Sequence, residues 1–313
     1  MRNLTLLSLG LALSLLLPCS ASERIFVFGD SLSDNGNSFA LAQLPPPPYG
    51  YTFNETGAVT GYFPGRFTDG PNWVDYLPRI AALFGVDLAP ITAAYDPKNP
   101  NGTNFAVGGS TSGTTNVASP GLRSFPDQIS EYLEGFKGKS TADDLCIIWI
   151  GSNDFTVGIS PAQTVANIKD GIARLAQAGA KNFVVIDIPD LGLTPRAKAL
   201  GGPAINAATQ FTLTTNLLLW VELPQLASLS RINIQVVDIN TAFVPVVLQP
   251  GLFGFKDSVT PALTALAVNP QTDPNAYVFW DDFHPTTRVH QIAAGYIYAT
   301  ALFRGQSFLS FRQ

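Results

Sequence analysis

The stretch Ile25-Phe26-Val27-Phe28-Gly29-Asp30-Ser31-Leu32-Ser33-Asp34-Asn35-Gly36-Asn37 decides the fold. Its first four residues are apolar, two of them β-branched, and a glycine halts the run; this predicts a short buried strand. A Gly-Asp-Ser step follows, then a stretch able to start a helix. A serine placed there stands at the carboxyl end of a strand, where open α/β sheets put their ligands. Backbone N–H groups near a helix start can point into such a site. A plainer reading makes Ser31 an N-cap and Asp30 a turn residue. This stretch alone leaves the two readings level, and the rest of the chain separates them.

Working outward, Asn104-Phe105-Ala106-Val107-Gly108-Gly109 predicts a second short strand ending in paired glycines. Leu145 to Ile150 is continuously apolar, as a central parallel strand buried on both faces would be, and it runs into Gly151-Ser152-Asn153-Asp154. Phe183 to Ile188 and Ile232 to Ile239 predict two more strands. Helical patterns cover 72–84, 125–136, 161–178, 204–229 and 285–303. Pro161 suits a first helical turn and Gly179 a helix stop, Gly305 ends the last pattern, and Pro224 is expected to bend or split the fourth. Strands alternating with helices predict an α/β fold: a parallel sheet covered on both faces, with right-handed crossovers. No repeat or composition break divides the chain. We expect a single domain over 22–313, with a loop-rich insertion at about 39–100. That insertion carries Pro45-Pro46-Pro47-Pro48, which favours an extended stretch, and the aromatics Tyr49, Tyr51, Phe53, Tyr62, Phe63 and Phe67. Such residues more often pin a long loop to the body than line an acyl pocket or lid.

Of the 313 residues, 46% are hydrophobic and only 13% charged, so the chain can bury a large core. The net charge of −5, with no basic block, argues against a nucleic-acid partner. Residues 1–21 read as a signal peptide: Arg2, an apolar stretch from Leu4 to Leu17, and the small-residue site Cys19-Ser20-Ala21. The apolar stretch is shorter than the ~20 residues of a spanning helix, which disfavours an uncleaved anchor. The expected destination is the periplasm or the medium. Cleavage leaves Cys146 as the lone thiol, inside an apolar run, so it reads as a small buried hydrophobe. With no internal disulfide possible, stability must come from the core.

The chain holds two histidines, His284 and His290. In Asp281-Asp282-Phe283-His284-Pro285, an aspartate three residues ahead of a histidine can fold back to accept its Nδ1–H. That frees Nε2 to take a proton from a serine hydroxyl. Asp282 is the rival partner, although its side chain should point elsewhere in the same turn. His290, inside the last helical pattern, reads as structural. Ester chemistry also needs donors for an oxyanion. Gly108-Gly109 can offer backbone N–H groups and Asn153 a side-chain NH₂. Asp34, Asn35 and Asn37 are explained by turns and caps before any cation. Neither a phosphate-binding loop nor a Gly-x-Gly-x-x-Gly motif is present. Two histidines and one thiol do not make a usual zinc site, and no cofactor or metal is expected.

Gly-Asp-Ser-Leu at 29–32 with Ser-Asp-Asn-Gly-Asn after it, Asn-Phe-Ala-Val-Gly-Gly at 104–109, Gly-Ser-Asn-Asp at 151–154 and Asp-Asp-Phe-His-Pro at 281–285 resemble the four blocks of the GDSL, or SGNH, hydrolases. They come in the family's order and span nearly the whole mature chain. Gly65-Arg66-Phe67-Thr68-Asp69-Gly70 resembles the segment after the first block in the plant-type, phospholipase-like branch. The resemblance implies a flavodoxin-like three-layer αβα sandwich with a five-stranded parallel sheet. It implies Ser31 as nucleophile, Asp281 and His284 as its partners, and an oxyanion hole of Ser31 N–H, Gly109 and Asn153, with Gly109 favoured over Gly108. The implied activity is an exported serine esterase or lipase that acts on small-molecule or lipid esters, with transient contact at lipid surfaces. An acyltransferase, a carbohydrate acetylesterase and an inactive surface binding module are the alternatives.

Overall fold

Three short apolar runs buried on both faces line up as parallel strands, and a fourth, more exposed run carrying Asn233 and Gln235 pairs at one edge. The computed structural model describes residues 24–42, 61–99, 101–135 and 141–302. The signal-peptide reading, the proline tract, Tyr49, Tyr51, Phe53 and Gly305 lie outside the described residues. Strands β1 (Ile25–Gly29), β2 (Leu145–Trp149), β3 (Asn182–Ile186) and β4 (Asn233–Val237) form a sheet of order β1-β2-β3-β4. All three ladders are parallel, with Val27 opposite Ile147 and Ile147 opposite Val184.

Period-two alternation sorts the side chains into two cores. Ile25, Val27, Ile147, Trp149, Val184, Ile186 and Val237 pack on one face, against α2 (Trp73–Leu83) and α9 (Thr287–Ile297). Phe26, Phe28, Cys146, Ile148, Phe183 and Val185 pack on the other, against α3 (Phe125–Gly135), α4 (Pro161–Gln177) and α6 (Gly202–Ser230). The layers are therefore helix, sheet, helix. Each fully buried large aliphatic or aromatic side chain contributes roughly 1.5–3 kcal/mol. Two such cores stabilise the fold with Cys146 free and buried, and burial pushes its thiol pKa up.

The fifth expected strand is present only as a partial edge. Val27 N–H donates to Thr103 O, Phe105 N–H to Val27 O and Val107 N–H to Gly29 O, which sets this segment parallel to β1 on the side away from β2. The ladder is cut short because Gly29 N–H, which would continue it to Phe105 O, donates to Gln128 Oε1 instead. The described sheet thus has four strands rather than five. The 103–107 segment still gives β1 neighbours on both sides, a topological switch point that opens a crevice beyond its carboxyl end. Helix α6 runs unbroken through Pro224, since Leu219 and Leu223, both fully buried, hold the helix against the core on the turn before the proline. The last helical pattern ends as α9 followed by a π-helical turn, Tyr298–Leu302. Short helices α1 (Asn37–Ala42), α5 (Pro195–Leu200), α7 (Asn240–Leu248) and α8 (Ala262–Val268) complete the helices named here. Among the described residues no helix is long and apolar enough to cross a membrane.

Candidate active site

Every site residue expected from the sequence lies at the carboxyl end of the sheet or in the turn before α9. Ser31 follows β1 in a tight turn in which Ser33 N–H and Asp34 N–H both donate to Asp30 O. No helix starts there. Helix α1 begins at Asn37, and Asp34 is the side chain that caps it, accepting from Gly36, Asn37 and Ser38 N–H. Ser31 is therefore not an N-cap. Gln128 of α3 secures the strand end from the side, accepting from Gly29 N–H and donating to Gly29 O.

Ser31 Oγ lies 2.8 Å from His284 Nε2, and His284 Nδ1 lies 2.7 Å from Asp281 Oδ2. The structure thus joins positions 31, 281 and 284 in one hydrogen-bonded line. The local turn makes the second contact: Asp281 Oδ1 accepts Phe283 N–H at 2.8 Å and His284 N–H at 2.6 Å, so the carboxylate folds back over its own loop. Trp280 N–H closes the loop onto His284 O. Burial opposes the charge on Asp281, but His284 and the surrounding donors outweigh it and bring its pKa down to about 2. Asp282, the rival partner, points outward to a bidentate pair with Arg196 at 2.9 and 3.0 Å. His290 is buried in α9, its Nδ1 meets no partner, and burial lowers its pKa to about 3, so it packs as a neutral ring.

The oxyanion candidates separate. Gly108 N–H is already committed to Asp34 Oδ2 and Ser38 Oγ, both at 2.8 Å. Among the described residues, neither Gly109 N–H nor Ser31 N–H meets an internal acceptor. Gly109 has φ +78°, a conformation that suits glycine and that the turn after the edge segment requires. Asn153 Nδ2 donates to Ser110 O at 2.9 Å, which fixes the amide with its second hydrogen uncommitted.

Two contributions come from the insertion. Phe67 lies against the imidazole, with ring centroids 5.4 Å apart, and fills the space where a Gly108 Cβ would sit. Tyr62 OH donates to Asp281 Oδ2 at 2.7 Å. From sequence both belonged to a set of aromatics read as pinning the loop to the body more often than lining an acyl pocket or lid. The segment around them is clamped to the histidine loop: Thr68 Oγ1 donates to Pro285 O, Asp69 Oδ1 accepts Thr287 N–H, and Arg66 pairs with Asp75 of α2.

Residues 25–297 match the family described as GDSL-like Lipase/Acylhydrolase. The chain belongs to this family. Among its relatives, a phosphatidylcholine-sterol acyltransferase of Aeromonas hydrophila is 25% identical over 86% of this chain and 87% of its own length. A GDSL esterase/lipase of Arabidopsis thaliana is 29% identical over 88% and 87%. A G-D-S-L family structure from Veillonella parvula is 13% identical with a TM-score of 0.47, covering 90% of this chain and 100% of that one. An acetyl-xylooligosaccharide esterase mutant from Geobacillus is 14% identical with a TM-score of 0.47, covering 89% and 93%. As a GDSL esterase/lipase, the chain is a hydrolase of carboxylic esters.

Proposed function

We propose that this GDSL hydrolase is an exported serine esterase or lipase working through an acyl-enzyme on Ser31. The observation that carries it is the continuous line Ser31 Oγ–His284 Nε2 and His284 Nδ1–Asp281 Oδ2, at 2.8 and 2.7 Å. His284 Nε2 takes the Ser31 proton as Oγ attacks the ester carbonyl. Asp281, kept ionised by its donors, orients the ring and stabilises the imidazolium. The tetrahedral oxyanion is held by Ser31 N–H, Gly109 N–H and the uncommitted hydrogen of Asn153 Nδ2. His284 returns the proton to the leaving alcohol. It then deprotonates a water that attacks the acyl carbon, and passes that proton to Ser31 Oγ as the acyl–oxygen bond breaks and the acid leaves.

Ser31→Ala is expected to abolish hydrolysis of a short-chain nitrophenyl ester, and labelling by a fluorophosphonate, while the melting temperature stays within a few degrees. Turnover retained by that variant overturns the assignment. The Aeromonas relative favours a second reading, in which an alcohol replaces water as acyl acceptor. Product analysis with a competing alcohol separates transfer from hydrolysis. Export rests on residues 1–21. The expected mature protein starts at Ser22 and is found outside the cytoplasm, which amino-terminal sequencing of the fractionated protein checks.

A further inference from the structure

Asp281 accepts four hydrogen bonds, and three come from its own turn: Phe283 N–H, His284 N–H and His284 Nδ1. The fourth comes from Tyr62, 219 residues away in sequence, and it lands on Oδ2, the same oxygen that meets the imidazole. The Tyr62 ring is held independently of that bond. It packs edge-on to the buried Trp280, centroids 6.2 Å apart at 83°, in a small cluster with Ala262 and Leu266. Its hydroxyl is therefore delivered to the carboxylate by packing, and the donor is pre-organised.

We propose that Tyr62 is a positioning residue for the Asp281–His284 pair: it fixes the carboxylate with Oδ2 toward the ring and tempers the basicity of that oxygen. This rests on the triad reading. A neutral donor on an anionic acceptor stabilises the charged form and so weakens its hold on a proton. With the phenol gone, Oδ2 leans on His284 Nδ1–H alone, and the pair holds its extra proton to higher pH. The other charged or titratable groups around the pair stay in place: Asp30 and His290, which interact with His284, and Arg196 with Asp282 on the outer side. A shift on removing the hydroxyl therefore belongs to Tyr62.

The test is Tyr62→Phe, which keeps the ring and its packing on Trp280. Two readouts are taken: the pH profile of kcat/KM on a short nitrophenyl ester, and the low-field proton resonance of His284 Nδ1–H. The acid limb is expected to move up by about 0.5 pH unit or more, with kcat on the plateau about 3- to 30-fold lower and KM within about twofold. The Nδ1–H resonance is expected to move further downfield as the Asp281–His284 bond tightens. A purely structural Tyr62 would lower activity and leave both readouts where they were, and that result, or an acid limb moved to lower pH, overturns the proposal. Fluorophosphonate labelling of Ser31, run in parallel, reads the triad separately. If Ser31 labels and neither readout moves, Tyr62 fails and the triad stands. If Ser31 does not label, the triad fails, and the resonance alone decides whether Tyr62 tunes the pair.

Discussion

Asn153→Ala isolates the oxyanion hole from the rest of the machinery. Its amide has two hydrogens; one is committed to Ser110 O at 2.9 Å and holds the group in place, and the other is left for the developing oxyanion. Deleting one such donor costs about 2.7–4 kcal/mol of transition-state stabilisation, or about 10²–10³ in kcat. The ground state loses less. The buried Ser110 carbonyl is left short of one partner, about 1 kcal/mol. On a chain of this size that lowers the melting temperature by about 1.5–2 °C. KM should barely change, because the donor is aimed at the tetrahedral oxygen and not at the ground-state carbonyl. Steady-state kinetics on a short nitrophenyl ester, with a thermal melt on the same sample, read both quantities. Asn153→Asp sharpens the test: it is nearly isosteric, yet it presents negative charge to an oxyanion, so it should be slower than the alanine variant. A loss in kcat below tenfold, a loss carried mainly by KM, or an aspartate variant faster than alanine would refute the reasoning.

Asp281→Asn should lower kcat by about 10⁴, since an amide facing Nδ1 favours the tautomer that leaves Nε2 protonated. A variant within tenfold of wild type would show that the carboxylate orients nothing. Asp30 offers a stability test. Burial is the main cause of its pKa rising to about 7, with Leu32 N–H pulling the other way, and its Oδ2 has no partner. Its folded pKa lies above the unfolded value of about 3.9, so its contribution to stability is full below pH 4 and is lost between about pH 4 and 7, by up to ~4 kcal/mol. Asp30→Asn should therefore melt near wild type at pH 4.5 and clearly above it at pH 8. Thermal melts of both proteins across that range decide it, and a difference independent of pH would be the contrary result.

How legible each feature was follows from how local its cause is. The strands β1 to β3 could be read because burial on both faces leaves an uninterrupted apolar run. The Asp281–His284 pair could be read because both partners lie in one turn. The fifth strand reads identically in sequence, and what cuts its ladder is the Gln128 side chain, from a helix far along the chain, taking Gly29 N–H, which has no signature in apolar pattern. Pro224 was expected to bend or split α6, and it does not split it: tertiary packing at Leu219 and Leu223 holds the helix together across a residue of low local propensity. Helices α1, α5, α7 and α8 span 6, 6, 9 and 7 residues, too few turns to show a period. Tyr62 could be noticed only as one aromatic among several, because its partner is 219 residues away.

The polar residues that follow Ser31 show how the site is held together although its turns cannot pair as strands. Backbone groups buried in irregular turns need partners from somewhere, and here side chains supply them. Asn37 Nδ2 donates to Asn104 O and Ala106 O, Asn104 Nδ2 to Ser33 O and Asn35 Oδ1, Asn35 Nδ2 to Ile91 O, and Asn72 Nδ2 to Asp34 O. Asp34 ties Gly108 N–H to the same turn. The Ser-Asp-Asn-Gly-Asn stretch is thus a set of bolts between the serine turn and the glycine segment, with no cation needed to account for it. Such bolts are more directional than apolar contacts, since each donor and acceptor fixes an angle as well as a distance. They also sort the two glycines: the bolt occupies Gly108 N–H, and the next N–H along the chain is the one left uncommitted. A stretch whose side chains never touch the ester can in this way still decide which backbone donor is available to it.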